Sequence, residues 1–244
     1  MKTVICFGDS NTYGYDPRSY LGGRYGPDSR WVDLLAARTG WDVRNQGQNG
    51  RTIPGGPVPF PADTDLLTVM LGTNDLLQGR GPETAAERME RFLSALDLER
   101  GRLLLIAPPP MALGAWVPDP ALVEASRDLA PRYRRLAAGL GVRFADAGAW
   151  GVALAYDGVH FAPPGHRAFA AGLSEALRPS PRTPNTRPRT QLLPAPAFAW
   201  RPRRSHPAAG AVRPPPPRAA PPPPRPRDPP PPSRRRHTSD TTAP

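Results

Sequence analysis

Along the first 178 residues the apolar positions keep two alternating rhythms. Short, almost wholly apolar runs occur at 3–7 (TVICF), 65–72 (DLLTVMLG) and 102–108 (RLLLIAP). Their length and continuity predict strands buried on both faces. Residues 41–47 (WDVRNQG) and 142–148 (VRFADAG) complete a set of five predicted strands. Between them the apolar residues return at helical spacing. Ala85, Met89, Phe92 and Leu96 share one face of a helix over 82–96, and Trp31, Leu34 and Leu35 share a face over 30–40, with Gly40 as the stop. Asp119 and Pro120 have the chemistry of an N-cap and a first helical residue. The helix they begin runs to Leu140 and is expected to bend at Pro131. Residues 163–177 close the domain with Phe169, Leu173 and Leu177 in line and His166 expected to face solvent. No internal repeat is visible. Strand–helix alternation with apolar strands predicts an α/β fold, a parallel sheet covered by helices on both sides. In such a sheet ligands bind beyond the carboxyl ends of the strands.

Composition changes this picture at one end only. The 244 residues carry a formal charge of +11. Residues 1–178 hold 19 Lys/Arg against 19 Asp/Glu, whereas 179–244 hold 13 Arg and two Asp. The charge therefore gives no reason to expect nucleic-acid binding by the folded part. Of the 37 prolines, 22 also lie after Arg178. Such a segment lacks the amide donors for a ladder and the apolar surface for a core, so 1–178 is expected to be one domain and 179–244 a disordered Pro/Arg-rich tail. The tail reads as a solvated extension or the product of a shifted reading frame. The functional alternatives are a proline-rich ligand for aromatic grooves or a polybasic segment for anionic polymers, its partner unknown.

The one cysteine, Cys6, falls inside the first strand and is expected to be a small buried hydrophobe. No apolar run is long enough to span a bilayer. With a strand beginning at residue 3 there is no room for a signal peptide, so a cytoplasmic location is expected unless a leader lies upstream.

The loops after the strands hold the chemistry. GDSN follows the first, NQGQNGRT the second and GTND the third, and YDGVHF lies near the domain's end. A serine hydroxyl attacks only when a base removes its proton. Outside the tail the chain has two histidines, His160 and His166, and His160 has Asp157 three residues before it. A short turn brings that carboxylate back to the imidazole, where it fixes the tautomer. Backbone amides at a glycine and a side-chain amide supply donors for an oxyanion, and Gly50 and Asn74 are such groups. Blander roles stand beside these. Ser10 and Asp157 also suit turns, Asn74 an Asx-turn and His160 a surface or capping site. Gly47 could replace Gly50. Asp9 and Asp75 read as loop braces. Trp31 and Trp116 suit core or rim, although Trp116, in the loop after the fourth strand, could line an acyl pocket.

FGDSNT, GQNG, LGTND and DGVH resemble, in order and rough spacing, the four sequence blocks of the SGNH hydrolases, the GDSL esterase/lipase family. The resemblance covers 1–178 and none of the tail. It implies a three-layer α/β/α sandwich with five parallel strands, the flavodoxin-like SGNH fold. It implies Ser10 as nucleophile, His160 as base and Asp157 as its orienting acid. The Ser10 amide, Gly50 and the Asn74 side chain would form the oxyanion hole, with no cofactor or metal. CFGDSNTYGY, MLGTND, APPP and DGVHF further resemble the arylesterase/acyltransferase branch, which acts on short acyl esters and passes acyl groups to alcohols. A small-molecule ester is the expected partner, and a homo-oligomer is compatible with the sequence. Within the family the alternatives are a carbohydrate O-deacetylase, a lysophospholipase or a thioesterase. Outside it the alternative is a non-catalytic adaptor working through the tail.

Overall fold

The computed structural model describes residues 1–19 and 21–178, so the expected tail at 179–244 lies outside the described residues. The chain begins with β1 (Thr3–Gly8), the one-turn helix α1 (Ser10–Tyr13), α2 (Trp31–Thr39) and β2 (Asp42–Gly47). It continues through β3 (Leu66–Met70), α3 (Thr73–Leu77), α4 (Pro82–Ser94) and β4 (Leu103–Ala107). It ends with α5 (Pro120–Arg127), α6 (Leu129–Leu140), β5 (Arg143–Asp146) and α7 (Pro163–Ala176). The strands form one sheet in the order β2-β1-β3-β4-β5, with every neighbouring pair parallel.

The two-residue period of a strand divides the core in two. Ile5, Phe7, Leu67, Val69, Leu103 and Leu105 meet Met89 and Phe92 of α4 and Leu129, Tyr133 and Ala137 of α6. Val4, Cys6, Leu66, Met70, Leu104 and Ile106 meet Trp31, Val32 and Leu35 of α2 and Phe169, Ala170 and Leu173 of α7. This is the expected three-layer α/β/α arrangement, with β1, β3 and β4 buried on both faces. β2 is an edge strand, and its polar sequence DVRNQG fits that place. Cys6 is wholly buried, and burial pushes its thiol up to about 12, a packing group rather than a nucleophile.

Three expectations need correction. The helix over 120–140 is not one bent rod but two helices separated at Asp128, three residues before Pro131. A proline ring clashes with the carbonyl four residues earlier, here that of Arg127, and α5 ends at that residue. On α2, Val32 joins Trp31 and Leu35 in the core while Leu34 is only half-buried. His166 does not face solvent. It is fully buried, its Nδ1 accepts the Trp31 N–H at 3.4 Å, and its ring lies edge-on to Tyr25 and Phe161. In α7 it sits three residues before Phe169, on the helix's inner face, so period alone places it inside once the face is fixed.

The chain runs from β1 out to β2 and then crosses to β3 on the other side of β1. That reversal opens a crevice at the carboxyl ends of β1 and β3, where ligands of open α/β sheets bind. Ser10 opens the helix that follows β1, and Asn74 lies in the first turn of α3, which follows β3.

Candidate active site

β1 stops at Gly8, and Asp9 caps the one-turn helix α1 by accepting the Asn11 N–H at 2.9 Å. That cap makes Ser10 the first residue of α1, at the carboxyl edge of the sheet. His160 comes from the loop before α7, 150 residues away, and its Nε2 lies 3.0 Å from Ser10 Oγ. His160 Nδ1 lies 2.6 Å from Asp157 Oδ2. A carboxylate only accepts, so Nδ1 carries the proton and Nε2 is left to take one from the serine. The other carboxylate oxygen accepts the N–H groups of Val159 at 2.9 Å and His160 at 3.0 Å. Burial alone pushes the Asp157 carboxyl up, but the His160 ring and these two amides outweigh it and hold it below the ordinary carboxylate range. Asp157 therefore stays ionised against the imidazole.

The loop that carries His160 is gripped from two directions. Asn11, beside the serine, donates through Nδ2 to Val159 O at 3.1 Å and accepts the Phe161 N–H at 2.8 Å, bracketing His160. The Asn11 carbonyl in turn accepts the Trp31 indole N–H at 2.9 Å. From the loop after β4, the N–H groups of Ala112, Ala115 and Trp116 donate to the carbonyls of Gly158, Tyr156 and Asp157. The same loop sets the Trp116 ring edge-on to His160 at 5.0 Å, while Tyr15 lies 4.6 Å from the imidazole at a tilt. Trp116 is half exposed, so it is a rim residue of this site. Trp31 belongs to the core. Asp9 is buried beside the serine, and burial raises its carboxyl to about 6 against the pull of the Asn11 amide, His160 and Arg51.

Gly50 and Asn74 make no hydrogen bond with Ser10, His160 or Asp157. They belong to two neighbouring elements joined at Arg51, whose carbonyl accepts Asn74 Nδ2 at 3.1 Å. That bond uses one amide hydrogen, and the second has no partner among the described residues. Gly50 is exposed at φ +72°, in the left-handed region that suits glycine, and its N–H has no partner among the described residues. The Ser10 N–H is likewise without one, as expected at the start of a helix. Gly47 is a poorer candidate than Gly50. Its N–H already donates to Asn45 Oδ1 at 2.9 Å, and a Cβ there would meet Tyr13 N at 2.0 Å. Gly47 is needed for the close approach of β2 to α1.

Sequence reasoning missed Asn11 and Tyr15. Both lie in the stretch CFGDSNTYGY, but their partners are more than 140 residues away, so only proximity in sequence to Ser10 marked them. Among the described residues no group of three or more His, Cys, Asp or Glu is placed to hold a metal ion. No described helix is long and apolar enough to cross a membrane.

A model of the GDSL-like lipase/acylhydrolase family matches residues 6–168. Among solved structures, a protein of Agrobacterium tumefaciens str. C58 assigned as an arylesterase is 34% identical with a TM-score of 0.61, over 72% of this chain and 97% of that one. A carbohydrate acetylesterase family member from Sinorhizobium meliloti is 30% identical with a TM-score of 0.62, over 73% and 98%. The aryl esterase of M. smegmatis is 27% identical with a TM-score of 0.60, over 72% and 97%. None of the curated proteins compared matches the chain. The chain belongs to the GDSL-like lipase/acylhydrolase family, and it is an ester-hydrolysing enzyme of the SGNH type.

Proposed function

We propose that this enzyme hydrolyses short-chain carboxylic esters through an acyl-enzyme formed on Ser10. The observation that carries the reading is the buried line Ser10 Oγ, His160 Nε2, His160 Nδ1, Asp157 Oδ2, with spacings of 3.0 Å and 2.6 Å at its two hydrogen bonds. Ser10 Oγ attacks the ester carbonyl carbon while Nε2 takes the hydroxyl proton. The carbonyl oxygen becomes an anion, and the free N–H groups of Ser10, Gly50 and Asn74 are the donors for it. The alcohol leaves with the proton from Nε2, and the acyl group stays on Ser10. Water then attacks, giving its proton to Nε2. The acid departs, and Ser10 recovers its hydrogen. Throughout, ionised Asp157 stabilises the imidazolium.

An alcohol can replace water in the second half, transferring the acyl group. The half-exposed Trp116 and the Tyr15 ring beside His160 give an apolar flank where an alcohol competes with water. A second reading, removal of acetyl groups from carbohydrates, uses the same steps. It is favoured by the likeness to a carbohydrate acetylesterase family member.

The test is intact-protein mass after brief exposure to a fluorophosphonate, with hydrolysis of p-nitrophenyl acetate measured alongside. One adduct on the wild type and none on Ser10→Ala is the expected result, with the variant losing about 10⁶-fold in kcat. Full esterase activity in a folded Ser10→Ala would overturn the assignment.

A further inference from the structure

We propose that Arg88, on α4, is a positioning residue for the oxyanion donors, acting through Asp75. The inference rests on the reading of Gly50 and Asn74 as those donors. Asp75 follows Asn74 in α3 and is completely buried. One carboxylate oxygen accepts the Ile53 N–H at 2.9 Å, and the other accepts Arg88 Nε at 3.0 Å. Arg88 Nη2 donates to the Ile53 carbonyl. The main chain at Ile53 is thus held at its N–H by Asp75 and at its carbonyl by Arg88. Two residues earlier the Arg51 carbonyl receives the Asn74 amide, and Gly50 comes immediately before Arg51. The bonds close a ring: Asn74 to Arg51, along the chain to Ile53, across to Asp75 and back to Asn74. Gly50 and Asn74 are therefore parts of one braced unit, and Arg88 braces it from a third element.

The chemistry of the brace selects arginine. A buried carboxylate without a cation is costly, and the guanidinium of Arg80 comes no nearer than 4.0 Å to Asp75. Arg88 has to reach a carboxylate and a carbonyl at once, which a planar fork of donors does and a single ammonium does less well. Donors for a transition-state anion lose their effect with small displacements, and an error of about 1 Å costs on the order of 100-fold. A loosened brace should therefore lower kcat more than it raises KM.

The experiment measures kcat and KM on p-nitrophenyl acetate, with Tm, for full-length Asn74→Ala, Arg88→Ala, Arg88→Lys and the double variant Asn74→Ala/Arg88→Ala. Arg88→Ala is expected to lower kcat about tenfold with KM within about twofold, and Arg88→Lys to fall between it and wild type. The double variant should lose less than the product of the two single losses, because both changes act on one unit. A folded Arg88→Ala with wild-type kcat, or losses that multiply in the double variant, would overturn the inference. If Arg88→Ala does not fold, Arg88→Lys and its double with Asn74→Ala are read by the same criteria. Wild-type kcat in Asn74→Ala would instead sink the donor assignment, and this inference with it. The fluorophosphonate result at Ser10 separates that failure from failure of the esterase reading itself.

Discussion

The loop that carries Asp157 and His160 and the pair of elements that carries Gly50 and Asn74 lie on the same edge of the sheet, yet they are finished differently. In the first, both oxygens of Asp157 and both ring nitrogens of His160 have partners, and Asn11 and the loop after β4 hold the backbone. In the second, donors are left over. The Gly50 N–H and one Asn74 hydrogen have no acceptor among the described residues, and the bracing lies beneath them in Asp75 and Arg88. The difference reflects the work each would do. A proton relay acts between groups of the enzyme and can be complete before substrate arrives. An oxyanion hole must hold donors whose acceptor forms only in the reaction, so its order has to come from the layer behind.

The largest expected effect breaks the proposed relay without removing an atom from its frame. Asp157→Asn keeps an oxygen for the amides of Val159 and His160, but its Nδ2 donates to His160 Nδ1 and moves the ring proton to Nε2. kcat should fall about 10⁴-fold while Tm changes little. A loss no greater than the roughly 10²–10³-fold typical of one oxyanion donor would mean that the relay half matters no more than the donor half.

A smaller effect sharpens the comparison at Asn11. Asn11→Ala removes both bonds that bracket His160 and leaves a buried carbonyl and a buried amide without partners, at a cost of about 2 kcal/mol in stability. kcat should drop about tenfold as the Ser10–His160 contact loosens, and chemical denaturation with steady-state kinetics on the same samples measures both. Unchanged stability would show that the two bonds add nothing to the frame.

The smallest effect concerns acid. Burial, with Arg30 and His160 nearby, pushes the His166 imidazole down to about 3 from an ordinary 6.5. As the pH falls below 6.5 the unfolded chain binds a proton that the folded chain refuses, so stability declines steadily toward pH 3. Asp9 works the other way. Its carboxyl, raised to about 6 from 3.8, takes up a proton in the folded state first and offsets part of the loss between those values. His166→Asn should flatten the decline of Tm between about pH 6.5 and pH 4. An identical pH profile in the variant would show that His166 is not the group responsible.

Much of this protein is legible in its sequence alone. The doubly apolar strands dictate a parallel sheet between two helical layers, because only that arrangement buries both of their faces. The motif residues Ser10, Asp157 and His160 stand out because a serine relay, as proposed here, needs those side-chain types and Asp157 lies three residues from His160. Three things required the tertiary structure. The partner of His166 was one, because its spacing from Phe169 puts it on the inner face of α7 but only the packing of α2 against α7 brings the Trp31 N–H to its Nδ1. The break before Pro131 was another, since it depends on where the ring meets the preceding turn. Asn11, Tyr15 and Arg88 were the third, since their partners are far away in sequence or in another element. Sequence pattern records what each segment prefers by itself. Hydrogen bonds between distant segments depend on sheet order and loop path, which only the folded chain fixes.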